Sequence, residues 1–441
     1  MSKTSSLWVC QQCGYESVGF LGKCPSCGTW SSLVETVSIT KTPHSAKASR
    51  GKQNSGSVTK LNTIKNTQTT RTSTKISELD RVLGGGLVPG QVVLLAGEPG
   101  IGKSTILLQL ADKLGDFLYI SGEESANQIK IRADRLGVTS KTIDILEETD
   151  IDIITDTFKG QTFKGVVVDS IQTMKTGDLS GMAGSVGQVR ECAGRLVRIA
   201  KSQNVPIILV GHATKEGTVA GPNVLMHIVD TVLWFEGEKN TGLRILRARK
   251  NRFGPTDEVG IFEMKDIGLE SLSDPQKLFV TDEDRKKFGA CIASTLQGTR
   301  PILVEIQSLV IPTKQAYPKR IALGVDPKRL EILLAVLSTQ ARIPLYEMDV
   351  FVNVVGGMKI TETGCDLAVA LSIASAYYKK SLPAGSVAIG EVELLGSIRP
   401  APLEEKRIKE AKRLGYRNVI SKAVCSSLST SIGKFLDGGR G

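Results

Sequence analysis

The chain has 441 residues, of which 41% are hydrophobic, and it carries a formal net charge of +11. This length exceeds one compact core and predicts two or three domains. No run reaches the roughly 18 to 20 uncharged apolar residues of a membrane span, and residues 1–6 lead into no signal-peptide core. The composition therefore excludes an integral membrane protein and predicts a cytoplasmic one.

Two Cys-x2-Cys motifs open the chain, and their cysteines are Cys10, Cys13, Cys24 and Cys27. Four thiolates on two facing turns form the tetrahedral sulfur site that Zn²⁺ favours, although iron uses the same ligands in rubredoxin-type sites. A site with four protein ligands has no open coordination position. We therefore predict a structural zinc module at 1–35, with iron as the alternative metal.

Residues 36–60 are rich in Ser, Thr, Lys and Gly, which is typical of a flexible linker. Through residue 75 the chain holds ten Lys or Arg against only Glu16 and Glu35. This positive charge fits a solvated tail as well as it fits contact with a nucleic-acid backbone, and the sequence leaves both open.

Residues 97–104 match the phosphate-binding loop GxxxxGK[ST] at every required position. The apolar run 92–96 predicts a buried strand before the loop, and residues 105–111 predict a helix after it. In such a loop Lys103 reaches the β and γ phosphates and the Ser104 hydroxyl coordinates Mg²⁺. We therefore predict that ATP and Mg²⁺ bind to Gly97, Glu98, Pro99, Gly100, Ile101, Gly102, Lys103, Ser104 and Thr105.

Between residues 61 and 273, apolar runs alternate with amphipathic helical patterns, which predicts a parallel sheet wrapped by helices. One run ends at Asp169, which we expect to hold the Mg²⁺ shell. Another leads to Glu123 and Glu124, and we prefer Glu123 as the base that polarises the attacking water. A third ends at His212, which fits either a γ-phosphate sensor or an internal histidine.

Two glycine-rich loops follow these strands, at 176–187 and 215–222. They suit either a channel for single-stranded nucleic acid or ordinary surface. A strand-like run from Arg244 ends in Lys250 and Arg252. These cations are either surface charge or an arginine finger that reaches the γ-phosphate of a neighbouring subunit in a ring or filament.

The Lys-Asn-Arg-Phe-Gly sequence at 250–254 is the most specific of these motifs. Together with the phosphate loop, Ser-Gly-Glu-Glu-Ser at 121–125 and the four-cysteine module, it resembles the bacterial RadA/Sms family of DNA repair proteins. The likeness covers nearly the whole chain. It implies an α/β fold in which a RecA-like P-loop ATPase core with a parallel sheet, at 61–273, follows the zinc module and precedes an α+β Lon-protease-like domain at 274–441.

The resemblance also implies an activity and partners. It implies a DNA-dependent ATPase that forms a hexameric ring, binds single-stranded and branched DNA, and promotes branch migration of recombination intermediates beside the RecA recombinase. Matching motif positions imply that Lys103 and Ser104 contact phosphate and Mg²⁺, that Asp169 is the Mg²⁺ acid, and that Glu123 is the base. They further imply that Lys250 and Arg252 act across the subunit interface, and that the four cysteines bind Zn²⁺.

Lon proteases use a serine nucleophile and a lysine base. Here the matching positions hold Asp366 and Glu405, which predicts an inactive domain. A shift of one residue would place Cys365 at the nucleophile position, so an ATP-regulated peptidase stays as an alternative function. A second alternative is a ring that ATP locks without driving movement, as in circadian-clock relatives of RecA.

Overall fold

The computed structural model describes residues 5–10, 15–26, 28–30, 32–38, 71–158, 161–212, 222–237, 242–272, 274 and 287–436. The chain divides into two compact units, Met1–Ser271 and Leu272–Gly441. The predictions for Cys13, for Cys27, for the linker from residue 39 to 60 and for most of the 215–222 loop lie outside the described residues.

The N-terminal module is a small antiparallel sheet. Its strands are β1 (Ser5–Cys10), β2 (Glu16–Ser17) and β3 (Leu33–Ser38), in the order β2-β1-β3. β3 continues to Ser38, so regular structure extends past residue 35, where the sequence pattern placed the end of the module.

The rest of the first unit is built on a nine-stranded sheet. In chain order its elements are α1 (Ser77–Leu83), β4 (Val92–Gly97), α2 (Lys103–Leu114), β5 (Phe117–Ser121), α3 (Ala126–Arg135), β6 (Ile143–Glu147), α4 (Ile151–Thr157), β7 (Gly165–Asp169), α5 (Val186–Gln203), β8 (Ile207–His212), β9 (Thr231–Gly237), β10 (Leu243–Asn251), β11 (Val259–Lys265) and β12 (Gly268–Ser271). The strand order is β12-β11-β10-β9-β4-β8-β7-β5-β6.

The central strands are continuous apolar runs because both faces of the sheet are covered. In β4, Val93 and Leu95 pack on the face that carries α1 and α2, while Val92, Leu94 and Ala96 pack on the face that carries α4 and α5. β4 through β9 pair in parallel, as the alternating pattern predicted.

The sheet changes direction after β9. β10 pairs antiparallel with β9, and β11 and β12 continue the antiparallel pairing. β10 therefore starts beside the carboxyl end of β9 and ends at Asn251, opposite Thr231 at the start of β9. This reversal carries the segment that follows Asn251 to the edge of the sheet opposite the phosphate loop.

The second unit contains a six-stranded mixed sheet, in the order β15-β16-β14-β13-β17-β20. In chain order the elements of this unit are β13 (Ala290–Gln297), β14 (Arg300–Pro312), β15 (Arg320–Leu323), α6 (Pro327–Gln340), β16 (Met348–Val354), α7 (Asp366–Tyr378), β17 (Ser386–Ala388), β18 (Glu391–Val392), β19 (Ile398–Arg399), α8 (Glu404–Arg413), β20 (Asn418–Ile420) and α9 (Leu428–Phe435). Among the described residues, no helix is both long and apolar enough to cross a membrane.

Two arginine-carboxylate pairs hold the start of α7. Arg329 forms two hydrogen bonds to Asp366 at the first position of the helix. Arg407, which is fully buried, donates to both carboxylate oxygens of Glu362 at 2.8 and 2.6 Å and also to the Ser294 and Pro402 carbonyls. A buried guanidinium needs these acceptors, and the acceptors in turn need their donor. The pair between Arg407 and Glu362 is therefore part of the internal structure of this unit.

Arg407→Met should therefore lower the stability of the second unit by about 3 kcal/mol, since it leaves Glu362 and two buried carbonyls without their donor. Hydrogen exchange of the α7 amides in the full chain measures this change. The control is Arg413→Met, because the Arg413 pair with Glu410 is half-exposed and its loss should cost less than about 1 kcal/mol. Equal effects of the two substitutions would contradict the assignment.

Candidate nucleotide-binding site

The carboxyl ends of four parallel strands meet at one edge of the first unit's sheet. Gly97 at the end of β4 is in register with His212 at the end of β8, and Ser121 at the end of β5 is in register with Asp169 at the end of β7. Ligands bind at this edge in open α/β sheets. The sequence-predicted phosphate loop, Mg²⁺ acid and base are thus brought together.

The phosphate loop joins β4 to α2 through left-handed backbone that glycine favours. Gly102 has φ of 113°, and a Cβ there would lie 2.7 Å from Cε of Met264. Lys103 is the first residue of α2 and is buried, and its Nζ donates to the Gly97 and Glu98 carbonyls at 2.9 Å each. The lysine thus lies folded over its own loop, where phosphate oxygens can replace the two carbonyls as acceptors.

Burial lowers the pKa of Lys103 to about 8, and the Asp169 and Glu123 carboxylates oppose this effect. The two acids therefore lie close enough to the lysine to act on it electrostatically. Burial also lowers the pKa of His212, with a smaller contribution from Lys103, so the imidazole is neutral at pH 7.

Asp169 and Glu123 are each held by a neighbouring hydroxyl. Tyr119 donates its phenol proton to Oδ2 of Asp169 at 2.6 Å, and Ser170 donates to Oε1 of Glu123 at 2.5 Å. Burial, followed by the Asp169 charge, raises the pKa of Tyr119 well above its usual value, so the phenol stays protonated. Sequence reasoning missed both hydroxyls, although Tyr119 is the one polar side chain in the run 117–120 and Ser170 directly follows Asp169.

The two neighbouring acids Glu123 and Glu124 have different surroundings. Arg132 on α3 forms an ion pair with Glu124. Oε1 of Glu123 instead lies 3.6 Å from Nε2 of His212, on the side of Asp169 and Lys103. Glu123 is thus the acid that lies beside His212, and its role as the base stays a prediction.

Beside Glu123, polar atoms are buried with no hydrogen-bond partner within the described part of the chain. They are both ring nitrogens of His212 and Oε1 of Gln172. Gln172 also donates to the His212 carbonyl at 3.4 Å, which ties the turn after β7 to the end of β8. Buried polar atoms without partners are costly, and their position at the phosphate edge suits contact with a bound phosphate or its water.

The loop at 176–187 is held to α5 at its first half. The buried Gln188 accepts from the Thr176 amide at 2.8 Å and donates to the Thr176 and Leu179 carbonyls, while Arg195 pairs with Asp178 at 2.7 Å. The apolar side chains at its tip are exposed, and Met182 is 85% accessible. The base of the loop is therefore held by hydrogen bonds to α5, while its tip is exposed.

The Lys250 and Arg252 cations lie at the opposite edge of the sheet from the phosphate loop. Lys250 Nζ donates to the Met226 and Val229 carbonyls at 2.7 and 2.8 Å. The Arg252 guanidinium is more than half exposed and lies 3.6 Å from the buried carboxylate of Asp230. Because Asp230 also accepts from the Val92 amide at the start of β4, the full length of β4 separates Arg252 from Gly97 of the same chain.

The metal module repeats one local geometry at its two described cysteines. The Cys10 amide donates to the Tyr15 carbonyl at 2.8 Å, and the Cys24 amide donates to the Thr29 carbonyl at 2.9 Å, five residues on in both cases. Both cysteines are buried in one small cluster with Leu33. Two buried thiols in equivalent local geometry fit a tetrahedral thiolate site, for which the sequence supplies Cys13 and Cys27 as the further ligands.

The second unit has no peptidase geometry at the positions that match Lon residues. Asp366 is engaged by Arg329, and Glu405 is exposed in the first turn of α8. Burial raises the pKa of Cys365 well above its usual value, and its Sγ donates to the Ser294 carbonyl at 3.5 Å. A protonated, inaccessible thiol is a poor nucleophile, which argues against the peptidase alternative.

Comparisons with known proteins match the N-terminal module and the phosphate-loop region separately. A family model described as an AAA domain matches residues 59–218, and one described as a rubredoxin metal binding domain matches residues 8–35. The chain is 45% identical to the DNA repair protein RadA of Bacillus subtilis, across 96% of this chain and 93% of the relative. The chain belongs to the RadA family.

Other relatives bear the same name. The chain is 45% identical to that of Halalkalibacterium halodurans, across 95% of this chain and 93% of the relative, and 44% identical to that of Listeria monocytogenes, across 95% and 92%. A KaiC-like protein of Pyrococcus horikoshii aligns with 46% of this chain and 99% of its own, at 23% identity and a TM-score of 0.39. RadA family membership and the AAA model make the core an ATP-hydrolysing domain, and the N-terminal match makes the first module a metal-binding domain.

The pKa of Lys103 predicts how nucleotide affinity depends on pH. Phosphate favours the charged lysine and raises its pKa, so binding above pH 8 takes up a proton and the affinity falls by up to about tenfold per pH unit. Calorimetry of ADP binding at pH 8.5, in two buffers of different ionisation enthalpy, should show net proton uptake.

Lys103→Arg is the control for this experiment, because a guanidinium stays charged throughout the range and should abolish the uptake. A wild-type protein that takes up no proton would show that Lys103 is already fully charged before the nucleotide binds.

Proposed function

We propose that this protein is an ATP-driven DNA repair motor that binds single-stranded and branched DNA and promotes branch migration of recombination intermediates. The observation that supports the proposal is that Lys103, Asp169 and Glu123 lie together at one edge of the sheet, while an exposed Arg252 lies at the opposite edge. RadA family membership supplies the DNA repair context.

In this proposal the residues of one edge bind and orient the triphosphate. The loop from Gly97 to Thr105 would hold the phosphates and Lys103 would neutralise part of their charge, while Ser104 and Asp169 would hold Mg²⁺, which supplies further positive charge at the phosphates. Glu123, fixed by its bond to Ser170, lies where it can orient and deprotonate the attacking water. His212 and Gln172 supply polar atoms for the γ-phosphate or its water.

The position of Arg252 supports an assembly with shared sites. β4 has six residues, so at about 3.3 Å per residue its two ends lie roughly 16 Å apart. Arg252 is thus too far from its own phosphate loop to touch the nucleotide there. A head-to-tail ring, which we propose to be hexameric, would instead place Arg252 of one copy against the phosphates of the next.

Lys250 holds a different position from Arg252. Its ammonium group is already bonded to two carbonyls, so it would have to exchange these bonds to reach a neighbour's phosphate. We propose that Lys250 fixes the turn that presents Arg252, and that it enters the shared site with Arg252 when the ring closes.

We further propose that Cys10, Cys13, Cys24 and Cys27 bind a structural Zn²⁺, and that the protein works beside the RecA recombinase. The loop at 176–187 follows the carboxyl end of β7, which is the nucleotide edge, and its exposed tip suits contact with single-stranded DNA. The alternative of an ATP-locked scaffold makes a different prediction, which is slow turnover that DNA does not change.

ATPase activity of the full chain should rise several-fold on addition of single-stranded DNA, because a motor couples hydrolysis to its track. Lys103→Ala should abolish the activity with and without DNA. Lys113→Ala is the matched control, since Lys113 lies exposed on the same helix, and it should behave as wild type. Activity that is indifferent to DNA would favour the scaffold.

Mixing two inactive variants tests the shared site. Arg252→Ala chains keep Lys103, and Lys103→Ala chains keep Arg252, so adjacent chains in a mixed ring can complete a site. Random mixing should restore up to about a quarter of the wild-type ATPase activity when sites act independently. Arg249→Ala, which removes a comparably exposed arginine on β10, should stay active alone. No recovery in the mixture would contradict an Arg252 that acts in trans.

A further inference from the structure

We propose that Tyr119 is a positioning residue for the nucleotide's Mg²⁺, and that its hydroxyl fixes the Asp169 carboxylate so that one oxygen faces the metal. This inference rests on the proposed nucleotide site and adds a residue to it. It concerns a side chain of β5 that no phosphate-loop motif includes.

The hydroxyl of Tyr119 is polar in an otherwise apolar place. The ring is 1% exposed and packs in the cluster that contains Leu95, Ile106 and Val167. Phe117, two residues earlier on the same face of β5, fills its place without a hydroxyl. Packing alone therefore does not require a tyrosine at this position, and burying a hydroxyl is costly unless it finds a partner.

The partner that it finds is the strand-end acid. The phenol donates to Oδ2 of Asp169 at 2.6 Å, a short bond of the kind that a charged acceptor makes. A hydrogen bond at Oδ2 limits rotation of the carboxylate and leaves Oδ1 as its other acceptor.

The donor set fits the ion. Mg²⁺ keeps several waters and takes one or two protein oxygens together with phosphate oxygens, and it demands near-ideal octahedral geometry. A carboxylate held in one orientation meets this demand better than one that rotates. Groups that orient metal ligands in this way typically contribute 10- to 100-fold in metal affinity or activity.

Tyr119→Phe tests the inference, because it removes only the hydroxyl and keeps the ring. Binding of a fluorescent ADP analogue to the full chain is measured with and without Mg²⁺. The variant should bind the analogue as wild type does without Mg²⁺, and the Mg²⁺ concentration that gives half-maximal tightening should rise about tenfold. The same rise is expected in the Mg²⁺ dependence of ATP hydrolysis, with little change in the rate at saturating Mg²⁺.

The control is Tyr416→Phe, which removes the hydroxyl of a buried tyrosine in the second unit and should change neither measurement. In an Asp169→Asn background, Tyr119→Phe should add no further loss of Mg²⁺ affinity. An unchanged Mg²⁺ requirement, or an equal loss of ADP affinity with and without Mg²⁺, would overturn the inference. Because ADP binding needs no hydrolysis, the result stands even if the protein proves not to be a DNA-stimulated motor.

Discussion

Parallel pairing of β4, β5, β7 and β8 decides where the chemistry of this protein lies. The register places Gly97 beside His212 and Ser121 beside Asp169, so the carboxyl ends of four strands share one edge. Continuous apolar runs bury both faces of these strands, and a shift of register would break both cores at once. β10 breaks this pattern, because it pairs antiparallel with β9 and so brings Arg252 to the opposite edge.

The nucleotide edge brings one buried cation and two carboxylates close together. Lys103 is desolvated and bonded to its own loop, while Asp169 and Glu123 each accept a short hydrogen bond from a hydroxyl. Such fixed groups need little reorganisation when phosphate and metal arrive, and preorganisation of this kind is where much of catalysis originates. At the far edge, Arg252 is more than half exposed beside Asp230, as the proposed contact with a neighbouring copy requires.

Much of this could be predicted from the sequence, because the relevant signals are local. The phosphate loop, the strand ending at Asp169 and the two Cys-x2-Cys motifs depend on short spacings, and the strands and helices that flank Lys103 and Asp169 are confirmed. The sequence did not predict the contacts of Tyr119, Ser170 and Gln172, because these contacts depend on which strands are neighbours in the sheet. The hydrogen bonds that hold the 176–187 loop could not be predicted for a similar reason, since they are made by Gln188 on the following helix. The opposite placement of Arg252 follows from strand direction, which periodicity does not reveal.

In the proposed ring, one copy's phosphate loop and another copy's Arg252 form a single site. A structure of the assembled protein with a non-hydrolysable ATP analogue, Mg²⁺ and single-stranded DNA measures it directly. In that structure the guanidinium of Arg252 should lie within hydrogen-bond distance of a phosphate whose loop and Lys103 belong to a different chain. A nucleotide contacted by one chain alone, with Arg252 still beside its own Asp230, would contradict it.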